Sequence, residues 1–187
     1  GYSYNVMRNA EKYRLPKVEL HKVDYKKVSQ RIHNVIGVIQ EHDEPEYLQD
    51  KYNVETQFGA PKFTDHHTID LNGKKISSRF FVIVTGSSPF IPLIDVIARV
   101  PYMTNMNIFS MESLPDSMIV LGGGPIGAEI AQALNRLGSN VTVIEFLPCI
   151  LPKEDEDVSC YVHDLLELEG IKFFVGTKAI KAEKSER

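Results

Sequence analysis

The residues with the clearest chemical meaning in this chain are glycines at a fixed spacing and one acid downstream of them. They lie in the run Leu121-Gly122-Gly123-Gly124-Pro125-Ile126-Gly127-Ala128-Glu129 and at Glu145. Gly122 permits a tight turn, Gly124 lets a diphosphate approach the backbone, and Gly127 lets a helix lie close to a strand. Free N–H groups at the start of a helix, together with its dipole, favour a bound anion. An acid some twenty residues further on, at Glu145, stands where a ribose 2′-hydroxyl is usually held. The chemistry implied is recognition of a dinucleotide. A carboxylate there would repel a 2′-phosphate, and no Arg or Lys follows it directly, so NAD is expected before NADP.

These residues need a strand, a turn, a helix and a second strand to hold them. Met118-Ile119-Val120-Leu121 reads as a buried parallel strand. Ile126, Ile130, Ala131, Leu134 and Leu137 recur at helical intervals until Gly138 stops the pattern, and Val141-Thr142-Val143-Ile144 supplies the second strand. A glycine pattern alone marks any tight strand-to-helix turn. Here every required element occurs in order, ending on the acid. Beyond a Pro-bounded loop at 146–152, an acidic helix start at Glu154-Asp155-Glu156-Asp157 precedes a helix with Val158, Tyr161, Val162, Leu165 and Leu168 on its expected buried face. Gly170 ends it, and Ile171-Lys172-Phe173-Phe174-Val175 is a third strand. Strand, helix, strand, helix, strand is one mononucleotide-binding half of a doubly wound sheet.

Upstream, a helical piece is expected near Val6–Tyr13, and a clearer helix after Asp24 with Val28, Ile32, Val35 and Ile39 on one face. The cluster Glu41-His42-Asp43-Glu44-Pro45-Glu46 reads as a solvated helix end, not a metal site, because adjacent side chains on a helix end diverge. Extended pieces at Val54–Phe58, Lys62–Asp65 and Thr68–Leu71 lead to the Asn72-Gly73 hairpin signal and a return through Lys74-Lys75-Ile76. They form a small antiparallel meander, with His66-His67 at a turn. Phe80-Phe81-Val82-Ile83-Val84 is apolar without alternation, as for a strand covered on both faces, and runs into Thr85-Gly86. That end reads equally as a ligand turn or a plain strand end. The Pro-rich segment between Pro89 and Pro115 is a linker.

Composition excludes other classes. The chain has 187 residues, 43% apolar and 25% charged, enough to bury a substantial core as one domain or parts of two. A net charge of −4, with basic and acidic residues interspersed, offers no stripe for nucleic acid, and no apolar run suits a membrane. Cys149 and Cys160 form neither a zinc spacing nor a Cys-x-x-Cys pair and point to a reducing, cytoplasmic setting.

Taken together, Phe81-Val82-Ile83-Val84-Thr85-Gly86-Ser87, the Gly122–Glu129 turn and Val141–Glu145 resemble the pyridine nucleotide-disulfide oxidoreductase family, which includes dihydrolipoamide dehydrogenase and mercuric reductase. The resemblance implies a Rossmann-like α/β flavoenzyme passing hydride from NAD(P)H to FAD and on to a disulfide or another small acceptor, and a homodimer. It implies a partial FAD-binding domain with linker at 1–115 and the N-terminal half of an NAD(P)-binding domain at 116–187. By the same resemblance, Gly59-Ala60 and Thr85-Gly86 contact FAD, Gly122 to Gly127 hold the NAD pyrophosphate, Glu145 the ribose, and Glu129 stands near the nicotinamide. An acid early in a helix is favourable in any case.

The family's first FAD turn, its redox cysteine pair and its C-terminal interface domain have no counterpart in these residues. The expectation is therefore an internal fragment with no catalytic residue, no metal site and no turnover of its own. A non-catalytic NAD-binding regulatory module is the alternative of a different class. A single-domain dehydrogenase ranks below both, since no catalytic His, Tyr-Lys or Ser set follows the glycines.

Overall fold

The computed structural model describes residues 1–95, 97 and 100–183. Its order is α1 (Tyr2–Arg8), a 3₁₀ turn at Ala10–Tyr13, α2 (Tyr25–Glu41), α3 (Pro45–Tyr52), β1 (Lys62–Asp65), β2 (Thr68–Leu71), β3 (Lys74–Ser77), a 3₁₀ turn at Ile108–Ser110, β4 (Ser117–Leu121), α4 (Pro125–Leu137), β5 (Asn140–Ile144), α5 (Glu156–Leu168) and β6 (Lys172–Phe174). The chain is α/β, with one antiparallel and one parallel sheet. It divides into two compact units, Gly1–Arg31 with Phe90–Arg187, and Ile32–Pro89. Among the described residues no helix is long and apolar enough to cross a membrane.

In the larger unit the sheet order is β4-β5-β6, all parallel. Parallel neighbours need a crossover, and α4 and α5 supply the two. Val141 and Val143 of the central strand are at most 2% exposed. They pack with Ala128, Ala131 and Leu134 of α4, Leu166 of α5, Ile150 and Ile171. Gly138 (φ +119°) ends α4 in the left-handed region that glycine alone adopts freely.

β4 is parallel as expected but is not a strand buried on both faces. Its residues alternate, and Ile119 is 65% exposed. The cause is that the helices pack on one face of this sheet. Pairing places Leu121, Ile144 and Phe174 side by side on the other face, and Leu121 and Phe174 are exposed there. α5 is rotated from the expected phase. Ser159 and Leu166 are buried, with Val162 packed against the core, whereas Tyr161 and Leu168 are 70% and 85% exposed. The small Ser159 sits inside because its hydroxyl donates to the Ile150 carbonyl at 2.6 Å. α4 keeps the expected face, with Ala131 and Leu134 buried and Ile130 and Leu137 packed on the core; only Ile126 is exposed, and Ala128 and Asn135 are buried beside that face.

The ends of α4 and α5 are tied by a fork. Arg136 donates to both carboxylate oxygens of Glu169, at 2.7 and 2.5 Å, and Asn135 Nδ2 donates to the Glu169 carbonyl. The N-terminal helical piece starts earlier than expected, as α1 and then a 3₁₀ turn, and Arg8 donates to the Arg136 carbonyl. In α2 Tyr25 is buried, Val28 packs on the core and Ile32 is half-buried, while Val35 and Ile39 are exposed.

The smaller unit holds the meander β1-β2-β3 with the predicted hairpin. Asn72 and Gly73 adopt φ of +56° and +85°, as a two-residue turn between right-twisted strands requires. His66-His67 forms the other turn, where the His67 N–H donates to Asp65. The polar cluster does not simply end α2. Pro45 starts α3, which proline at a first helical position and the following Glu46 could have signalled.

Two strand expectations fail here. Among the described residues Val54–Phe58 joins no strand ladder, and Phe80–Val84 forms no strand; Val82 and Val84 are 84% and 86% exposed. Apolar character and β-propensity do not make a strand without a neighbour to accept its hydrogen bonds; Phe81 packs its ring edge-on against Phe63 of β1, but no described strand pairs with the backbone of this run. Within the expected linker, residues 96, 98 and 99 lie outside the described set.

Candidate nucleotide-binding site

The site begins where β4 runs into α4. Gly122, at φ +105°, turns the chain out of the strand, and its N–H donates to the Ile144 carbonyl at 2.9 Å, extending the β4–β5 ladder by one bond. Gly124 is the N-cap of α4 and offers no side-chain oxygen to its first amides. Pro125 follows at the first helical position, where a missing N–H costs nothing. The helix therefore starts without an internal anion or side-chain cap, with its positive dipole end turned to the glycines.

Each glycine answers to a different constraint. A Cβ on Gly127 would stand 2.1 Å from the carbonyl oxygen of Gly122, so only glycine allows α4 to lie this close to the turn. A Cβ on Gly123 would meet Ile150 Cγ2 at 2.8 Å. Around Gly124 nothing lies within 4 Å of that position, and its φ of −69° suits any residue. Packing dictates glycine at 123 and 127. At 124 the protein itself imposes no such demand, and open space stands over the helix start.

Glu145 closes the site from the end of β5. It is 8% exposed, and each oxygen accepts a backbone hydrogen bond, Oε2 from Gly123 at 2.5 Å and Oε1 from Leu147 at 2.7 Å. Two amides hold the carboxylate against the turn, while further lone pairs on its oxygens stay free to accept a hydroxyl. Glu129 lies in α4 and is exposed.

The structure thus brings Gly122, Gly123, Gly124, Pro125, Ile126, Gly127 and Glu145 around one turn, with Glu129 one helical turn on. Gly59, Ala60, Thr85 and Gly86 belong to the other unit. A Cβ on Gly59 would lie 2.5 Å from Leu71 Cδ1, and the Asn72 amide donates to the Phe58 carbonyl, so packing on the meander explains that glycine. Gly86 has φ +67° and open space around it.

Sequence reasoning missed the floor of the site. Leu151 donates its N–H to the Gly123 carbonyl at 2.8 Å and adopts φ +49°, a left-handed conformation uncommon for a branched residue, while Ile150 is 1% exposed beneath the turn. The two prolines at 148 and 152 were the only local signal that this loop is held rather than free.

The family model described as pyridine nucleotide-disulphide oxidoreductase matches residues 7–187. The chain is 33% identical over 138 residues to a mercuric reductase of Lysinibacillus sphaericus, covering 74% of this chain and 25% of that protein. It is 36% identical over 134 residues to a dihydrolipoyl dehydrogenase of Thermus scotoductus, covering 71% and 29%. The HOCl-induced flavoprotein disulfide reductase RclA of Escherichia coli, solved as a Cu(II) complex, superposes with a TM-score of 0.73 over 97% of this chain and 40% of that one. At 23% identity this likeness speaks to the fold. The chain spans about a quarter to three tenths of these curated relatives.

Proposed function

The chain belongs to the pyridine nucleotide-disulphide oxidoreductase family, and from that premise we propose that the turn at Gly122–Gly127 binds the diphosphate of a nicotinamide dinucleotide. The observation that carries this reading is the uncapped start of α4 beneath open space at Gly124, with a buried acid fixed beside it. The residues fit such a ligand: N–H groups and a helix dipole for the diphosphate, and the Glu145 carboxylate for a ribose hydroxyl pair. A carboxylate held this close would repel a 2′-phosphate, which supports NAD over NADP. Glu129, exposed on the first turns of α4, is assigned to the nicotinamide side.

The resemblance further supports FAD in the whole protein, with Thr85-Gly86 and Gly59-Ala60 as its contacts. The open left-handed Gly86 suits a ligand, whereas Gly59 is already accounted for by packing. When bound, the two cofactors supply hydride transfer from nicotinamide to flavin. This chain's residues orient the dinucleotide, keep its diphosphate on the helix start and hold its ribose. The domain reading is an FAD-binding portion at 1–115 and an NAD(P)-binding portion at 116–187. The electron acceptor, a disulfide or another small oxidant, and a homodimeric assembly belong to the same proposal. That the two curated relatives described above are a reductase and a dehydrogenase supports electron transfer over a purely regulatory NAD module.

Calorimetric titration of the 187-residue chain with NADH, with NADPH as comparator, tests the reading. Saturable NADH binding, lost in Gly124→Ala, is the expected result. Absence of binding by folded chain, or preference for NADPH, overturns it. Mixed with NADH and a dye acceptor, the chain alone is expected to show no flavin-dependent turnover.

A further inference from the structure

α5 carries a second cluster, which the nucleotide site does not use. His163, Asp164 and Glu167 each present one ligand atom, and these atoms lie within 4.8 Å of one another. His163 and Glu167 are one helical turn apart, the spacing at which two side chains share a face. The His163 ring packs edge-on against Phe173 of β6, with centroids 4.7 Å apart, which fixes its plane.

We propose that this cluster binds one divalent transition-metal ion, with zinc the ion best suited to an imidazole nitrogen and two carboxylates. The His163 side chain is 28% exposed, but its Nε2 atom is buried and has no hydrogen-bond partner, an arrangement that costs free energy in the metal-free protein. Its neighbour, Glu167 Oε1, is 3.7 Å away, too long for an N–H···O bond. Two atoms each about 2.1 Å from a shared tetrahedral ion stand roughly 3.4 Å apart, so a small closure of this pair makes room for zinc. Glu167 is 51% exposed and Asp164 is exposed, so an ion reaches the site from solvent and water completes its shell. Donors of this kind favour zinc over magnesium or calcium, which prefer all-oxygen shells. An ion there would clip the last two turns of α5 and, through the His163–Phe173 contact, brace them on β6. The site is separate from the glycine turn and does not depend on the nucleotide reading.

Calorimetric titration of the full chain with zinc chloride in a non-chelating buffer tests the proposal, alongside His163→Gln, Glu167→Gln and a His66→Gln/His67→Gln control. The native chain and the control are expected to bind one ion saturably. Changes around a metal site outside its ligands already weaken binding by about tenfold or more, so removing a ligand should weaken it at least as far in both α5 variants. Absence of saturable binding, or binding undiminished in Glu167→Gln, overturns the proposal. Glu167 is half exposed, so its variant keeps the fold even if loss of the Phe173 contact unfolds His163→Gln. In the native chain, zinc should also shift the His163 ring resonances in proton NMR, and unmoved resonances at saturation count against the site.

Discussion

The hypothetical Cβ of Gly127 and the carbonyl oxygen of Gly122 would be 2.1 Å apart, which makes the join between strand and helix at this turn a contact of backbone on backbone. Neither side can yield as a flexible side chain would. The opposite holds at Gly124, where a methyl group meets nothing.

This contrast predicts that Gly127→Ala and Gly124→Ala separate stability from binding. Gly127→Ala must push α4 away from the turn and is expected to cost about 1–3 kcal/mol or more, read as a fall in the denaturant midpoint. Gly124→Ala should stay within about 1 kcal/mol of the native chain, the scale of a cap change, yet lose NADH binding. Equal stability losses in the two variants would contradict this account of the turn.

Glu145→Gln should affect both properties. The carboxylate accepts from the Gly123 and Leu147 amides, and a carboxamide faces one of them with an N–H. Leaving one buried donor unmatched costs about 1–3 kcal/mol. Chemical denaturation measures the loss, and titration should show weaker NADH binding with less discrimination against NADPH. A variant as stable as the native chain would mean the carboxylate is not holding the turn.

The Arg136–Glu169 fork is mostly buried, its side chains 17% and 16% exposed. Hydrogen bonding to Glu169 outweighs desolvation and holds the Arg136 guanidinium above the strongly alkaline pH at which it ordinarily titrates. A raised value means that the fork's contribution is complete below that pH and is lost only as pH climbs through the folded-state value, so mild alkali leaves it intact. Glu169→Ala is expected to cost about 2 kcal/mol by stranding a guanidinium that had charge-assisted bonds. Thermal unfolding at pH 7 and pH 9 should show the same deficit at both.

Tyr25 gives a pH signature that does reach the measurable range. Burial pushes its phenol above the ordinary 10.0. The stability tied to its neutral form is therefore whole below pH 10 and drains away as pH rises through the folded-state value. Absorbance titration at 295 nm should show one late-ionising phenol that disappears in Tyr25→Phe. A variant curve differing from the native one by an early-ionising phenol would contradict this.

Amide hydrogen exchange should distinguish the two apolar runs that sequence treats alike. Val141–Val143, paired on both sides, are expected to exchange slowly, and Val82–Val84, exposed and outside any described strand, within seconds. Protection of Phe80–Val84 in this chain would show that the run has found a partner strand.

Glycine spacing, strand-helix alternation and the Asn72-Gly73 hairpin were legible in the sequence because each is local. A positive φ, a helical period or a two-residue turn is dictated by a handful of neighbouring residues, so Gly122, Gly138 and Asn72-Gly73 could be read directly. The family match follows from the same local motifs and extends over residues 7–187. What required the tertiary structure is everything set by atoms distant in sequence. Ile150 beneath Gly123, the amides that hold Glu145 and the inward turn of Ser159 on α5 depend on which surfaces meet. Phe80–Val84 makes the same point by its failure. An apolar run states a need for burial, but only a neighbouring strand with free hydrogen-bonding groups can meet it, and that neighbour is not encoded within the run.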